Sequence, residues 1–190
     1  MFAPTGRSRK HRRLASRRRD YHRQVGYDGS GADREHLYGR ADHGNQISMI
    51  IAFLLAVVVP AGQSFDCTPT AVWDGDGPIW CAEGPHIRLS GIAAREMDGT
   101  CRPGHPCPAA GPIDARDHLV SLVGKPTGVR STGHITVAGP TMRCRSAGGA
   151  GGNRTAAFCT SPQSGDISCA MVRDGYAAKW DRYWQKHRCN

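Results

Sequence analysis

The stretch IRLSGIAARE, residues 87–96, decides the fold. Ile87, Leu89 and the polar residues between them alternate with the period of two that a half-buried strand requires. Gly91 marks a break, and a short apolar segment then ends in the charged pair Arg95-Glu96. A dozen residues upstream, WDGDG (73–77) places two aspartates in a glycine-rich turn. Working outward, TAVWDGDGPIWCAEGPHIRLSGI reads as a β-meander, with turn signals at Asp74-Gly75, Gly77-Pro78 and Glu83-Gly84-Pro85. A Pro/Gly/Cys-rich loop spans Asp98–Pro112. IDARDHLVSLVG (113–124) follows with Leu119, Val120 and Val123 at helical spacing and Gly124 as a stop. GHITVAGP and RTAAFCT predict two further strands joined by the glycine-rich loop RSAGGAGGN. GDISCAMVRDGYAAKWDRYW predicts a turn and then an amphipathic helix.

The chain of 190 residues has a formal net charge of +9. That charge is unevenly spread: residues 1–64 hold 11 of the 25 Lys+Arg and 5 of the 16 Asp+Glu. Most of the basicity therefore lies outside the cysteine-bearing part, so net charge alone is weak evidence that this part binds nucleic acid. MIIAFLLAVVV (49–59) is too short to span a bilayer as an uninterrupted helix, which takes about 20 apolar residues. With Pro60 and the small residues after it, it reads as the core of an export signal cleaved near Ser64. The expected organisation is a basic tail or mis-assigned start at 1–48, with translation beginning near Met49, a signal peptide at 49–64, and one domain at 65–190.

All eight cysteines follow position 64, and no CxxC pair occurs among them. Structural zinc sites use short paired spacings, so four disulfides are the expected use, in an oxidising compartment: periplasmic or secreted. Cys101 and Cys107 bracket a Pro/Gly turn and form the most plausible local loop. The other pairings stay open.

The order DGD, IRLSGIAARE, a helix, NRTAAFC and GDISCAMVRDGYA resembles the thermonuclease (staphylococcal-nuclease-like) family over about residues 70–183. The resemblance implies an α+β, mainly β fold: a five-stranded OB-type barrel with two or three helices. It also implies calcium-dependent hydrolysis of DNA or RNA by a monomer that has no membrane anchor once the signal is removed. By the same resemblance Asp76 is the metal ligand, Arg88 and Arg154 are the catalytic arginines that stabilise charge on phosphorus, and Glu96 positions the attacking water.

The family pattern RL.G.D.PE is broken here, with Ala93 in place of the second metal-binding aspartate and Arg95 in place of the proline. Alanine offers no oxygen, so calcium affinity should fall. Arg95 adds positive charge beside the site, and an Ala93→Asp change is expected to restore metal binding without harming the fold. The alternative is a catalytically degraded barrel that binds single-stranded nucleic acid or another partner, with Tyr183 a candidate nucleic-acid contact and Trp73, Trp80, Trp180 and Trp184 as further aromatics. The five histidines after residue 64 show no ligand spacing and receive no role.

Overall fold

Alternation is what builds the sheet. In the computed structural model, which describes residues 57–189, strand β4 (His86–Leu89) turns Ile87 and Leu89 into the core and His86 and Arg88 outward. Strand β9 (Arg154–Ser161) buries Thr155, Ala157, Cys159 and Ser161 and turns Arg154, Ala156 and Phe158 outward. Strand β8 (Met142–Gly149) buries Met142, Cys144 and Ser146 in the same way. One face of each strand is therefore core and the other is surface. The expected tail, 1–48, and the first part of the expected signal, 49–56, lie outside the described residues.

The principal sheet has nine strands, against the five expected. Strands β2 (Pro69–Val72), β3 (Ile79–Cys81) and β4 form the anticipated antiparallel meander. β4 then pairs in parallel with β9, β9 antiparallel with β8, and β8 antiparallel with β1 (Ser64–Cys67). Only Thr68 separates β1 from β2, so the row of hydrogen-bonded neighbours curls back to where it began. A hairpin of β6 (Lys125–Val129) and β7 (Ile135–Ala138) extends the sheet from β2, and β10 (Gly165–Asp166) adds to β9. β5 (Ile92–Ala93) and β11 (Ala178–Lys179) make a separate two-stranded pair.

Helix α1 (Pro112–Val123) starts with proline in its first turn, where the missing N–H costs nothing. It buries Ala115, Leu119, Val120 and Val123 against the sheet. The expected C-terminal amphipathic helix is instead two pieces. α2 (Ile167–Arg173) is capped by the Asp166 carboxylate, which accepts from the Cys169 N–H at 2.8 Å. Gly175, in the left-handed region at φ +80, follows its end. β11 and the short α3 (Asp181–Trp184) come next. Ile79, Ile87, Leu89, Ile92, Leu119, Met142, Ile167 and Met171 fill the fully buried centre.

All eight cysteines are paired, as expected: Cys67–Cys81, Cys101–Cys107, Cys144–Cys159 and Cys169–Cys189. Cys101–Cys107 is the anticipated local loop, and Cys144–Cys159 joins directly opposed residues of β8 and β9. Residues just before β1 are tied down: the Val59 N–H donates to Thr155 Oγ1 at 3.0 Å, and the Val59 carbonyl accepts from Ser146 Oγ at 2.7 Å.

Candidate functional site

The Asp74–Gly77 turn closes tightly between β2 and β3. A Cβ on Gly75 would stand 2.6 Å from the Ala115 Cβ and 2.8 Å from that of Ala94, so only glycine lets the turn seat against α1. Asp74 Oδ1 accepts from the Asp76 N–H at 3.2 Å. The Asp76 carboxylate is gripped by both prongs of Arg88, with Nη1 to Oδ1 at 2.7 Å and Nη2 to Oδ2 at 2.8 Å. The Ala94 N–H donates to Oδ2 at 3.0 Å.

Burial pushes the Asp74 carboxyl up to about 8, and the neighbouring Asp76 charge adds to the rise. Burial raises Asp76 as well, while Arg88 and the Ala94 N–H pull it back. Of the two carboxyls, Asp76 is the one whose charged form the Arg88 guanidinium and the Ala94 N–H stabilise.

Arg88 also borders an open cleft of about 370 Å³. Arg154 lines the same cleft, its Nη2 bonded to the Ala150 carbonyl at 3.1 Å and its Nε to that of Gly151 at 3.3 Å. Tyr183, 43% exposed, lies on the cleft wall beside Trp180, ring centroids 4.6 Å apart. Of the expected site residues, the structure thus brings Arg88, Arg154 and Tyr183 together. Asp76 stands behind Arg88. Glu96 does not line the cleft; it pairs with Arg102, whose Nε meets Oε1 at 2.6 Å and whose Nη2 meets Oε2 at 3.2 Å.

Trp180, one of the aromatics singled out in the sequence, also lines the cleft, whereas sequence reasoning missed Arg102 and His105, which line it too. The signal was the Cys101–Cys107 loop, which encloses Arg102 and His105 and presents them there. His105 packs on Trp180 at 4.1 Å between ring centroids. Burial, then Arg88 and Arg102, hold its pKa below the usual imidazole range. Arg95 does not add charge to the site as expected. Its Nε and Nη1 bond the carbonyls of Pro108 and Gly99, both at 3.0 Å, and so brace the disulfide loop.

The residues around Asp76 do not fit a calcium ion. Calcium takes six to eight oxygens and is tuned by its count of carboxylates. Both Asp76 oxygens are already engaged by donors, and Ala93 supplies no oxygen. Among the described residues the only clusters of three metal-ligating side chains are Cys67/Cys81/Glu83 and Asp166/Cys169/His187. Each spends its sulfur in a disulfide, whereas a metal is bound by a thiolate. No family model, curated protein or solved structure matches the chain.

Proposed function

We propose that this domain binds single-stranded nucleic acid through its backbone phosphates, without a metal, in the cleft walled by Arg88, Arg102, Arg154, Trp180 and Tyr183. The observation that carries the reading is Arg154. Arg88 and Arg102 face carboxylates, whereas the Arg154 guanidinium is braced only by carbonyls and keeps its full charge. A forked cation beside aromatic faces suits a phosphate that is followed by an unpaired base.

The scaffold supports the same reading. β1 and β2 taken as one bent strand, with β3, β4, β9 and β8, make a row of five neighbours that returns to its start, which is consistent with the expected OB-type barrel. Such barrels bind oligonucleotides on a strand face flanked by loops. The four disulfides support an exported, periplasmic or secreted domain. Among the described residues no helix is long and apolar enough to cross a membrane.

Phosphodiester hydrolysis of the thermonuclease type is the second reading, favoured by the convergence of Arg88 and Arg154 on one cleft with Glu96 one ion pair behind it. In that case the arginines stabilise charge on phosphorus and Glu96, released from Arg102, positions water. One experiment separates the two. Labelled oligothymidylate is incubated with the oxidised protein in calcium, in manganese and in chelator, and both anisotropy and strand length are read. Salt-sensitive binding that is indifferent to chelator, with intact strands, is expected. Calcium-dependent cleavage would replace the binding reading with the enzymatic one.

A further inference from the structure

The sheet face that forms one wall of the cleft does not end there. Cross-strand partners share a face, and the parallel register sets His86 beside Arg154 and Arg88 beside Ala156. The antiparallel register sets Trp80 beside His86. Arg154, His86 and Trp80 therefore form one row across β9, β4 and β3, about 10 Å long at about 4.8 Å per strand.

Beyond that row stands a ladder of rings. His86 stacks on Trp80, with centroids 4.5 Å apart and planes at 12°. His134 lies 4.9 Å from Trp80 and 4.8 Å from Trp73. The Arg130 guanidinium sits 4.6 Å from the centre of the Trp80 ring. All five side chains are half-buried.

The charge on this surface has one sign. Arg130 lowers the pKa of both His86 and His134, burial being the first cause in each case, and no carboxylate counters it. Among the described residues neither Arg130 nor Arg154 takes part in an ion pair. Alternating rings and uncompensated cations match a polymer that alternates flat bases with phosphates. A duplex is a poor occupant, because its base faces are already stacked on one another, and an acidic peptide would leave the rings unused.

We propose that a single strand seated in the cleft continues over β4 and β3, its bases stacking along the His86–Trp80–His134–Trp73 ladder and a phosphate meeting Arg130. This inference rests on the proposed function, since it extends the same bound strand.

The test compares labelled oligothymidylates of three and twelve nucleotides by anisotropy, using the full chain with its disulfides intact. The twelve-mer should bind at least about tenfold more tightly than the three-mer. Trp80→Ala should weaken the twelve-mer by about 5- to 160-fold, the range for loss of one stacked base. Arg130→Gln, at a half-buried side chain that takes part in no ion pair among the described residues, should weaken it several-fold and flatten its salt dependence. Arg154→Ala should weaken both lengths. Equal affinity for the two lengths, an unchanged twelve-mer in Arg130→Gln, or equal competition by a duplex overturns the ladder while leaving the cleft reading intact. Absence of binding at either length overturns both.

Discussion

Arg88 and Asp76 form a two-pronged ion pair at 2.7 and 2.8 Å, with side chains 15% and 4% exposed. Asp76 sits in a turn and Arg88 on a strand, so the pair locks the Asp74–Gly77 turn to β4. Removing one partner of a buried pair leaves the other uncompensated, at about 3–5 kcal/mol. Arg88 borders the cleft and can reach water, so Asp76→Asn should cost less than Arg88→Ala, which strands a buried carboxylate. Urea denaturation of the two variants and the double mutant measures this. A coupling below about 0.5 kcal/mol would show that the pair behaves like a surface contact.

Asp74 makes stability pH-dependent in an unusual sense. Its carboxyl is raised from 3.8 to about 8 in the folded protein, chiefly by burial. Between those values the folded state holds a proton that the unfolded state has lost, so this group's contribution falls as pH rises. The loss begins near pH 4 and is complete above about 8. Asp74→Asn keeps an acceptor for the Asp76 N–H and cannot ionise. It should therefore flatten the decline across that window, most visibly at pH 7–8, in melts recorded from pH 4 to 9. A parallel decline in both proteins would place the titration elsewhere.

The Cys169–Cys189 bridge closes 20 residues that include the cleft aromatics Trp180 and Tyr183. Within this loop His187 stacks on Phe158 at 3.8 Å and pairs with Asp166 at 3.0 Å. Opening the bridge with a Cys169→Ser/Cys189→Ser double variant should cost about 3 kcal/mol by the loop-closure argument. Oligonucleotide affinity should fall with it, because the cleft wall loses its anchor. Unchanged binding in a folded variant would separate the wall from the tail.

The meander, α1, the Cys101–Cys107 loop and the strand at Arg154 were legible because period-two and period-3.6 patterns and turn residues specify them locally. β8 was not recognised as a strand: its second half, from Arg145 to Gly149, was expected in the glycine-rich loop, since Gly148 and Gly149 carry no pattern and their pairing to β9 is fixed by tertiary register. The C-terminal break had a local signal, Gly175, which the helical periodicity of the surrounding residues masked. Of the site, Arg88 and Arg154 could be found because a strand places them. Arg102 and His105 could not, because they reach the cleft from a loop whose course depends on disulfide pairing. The one-sided charge of Arg154 was equally invisible, since it depends on which carboxylates lie out of reach.

Arg154 is the side chain on which the binding reading depends. Arg154→Ala should weaken single-strand binding by about tenfold and reduce the slope of log affinity against log salt by about 0.7, the value for one phosphate contact on a single strand. Arg154→Lys should recover the slope and little of the affinity, because a point charge cannot make a forked contact. The Arg88→Ala change should alter the slope less, its charge being balanced by Asp76. Titrations at four salt concentrations give these slopes, and an unaltered slope in Arg154→Ala would remove this residue from the phosphate path.

Ala93→Asp tests the metal question directly. The expectation that the change leaves the fold unharmed conflicts with where Ala93 lies: it is fully buried in β5, paired with Ala178. A carboxylate there loses its water and joins a region that already holds Asp74 and Asp76, one residue from the Ala94 N–H that serves Asp76. Burying an unpaired charge is costly enough that the new group should take up a proton, and the variant should be destabilised by about 2 kcal/mol or more. Calcium should not rescue it, because Arg88 and Ala94 already occupy the oxygens of Asp76 that an ion would need. The check is a pair of thermal melts for each protein, with millimolar calcium and with chelator. Calcium should leave both melting temperatures unchanged. A calcium-dependent rise in the variant alone would mean that the Arg88–Asp76 fork opens for an ion once a second carboxylate is supplied, and a rise in the unaltered protein would mean that it opens without one.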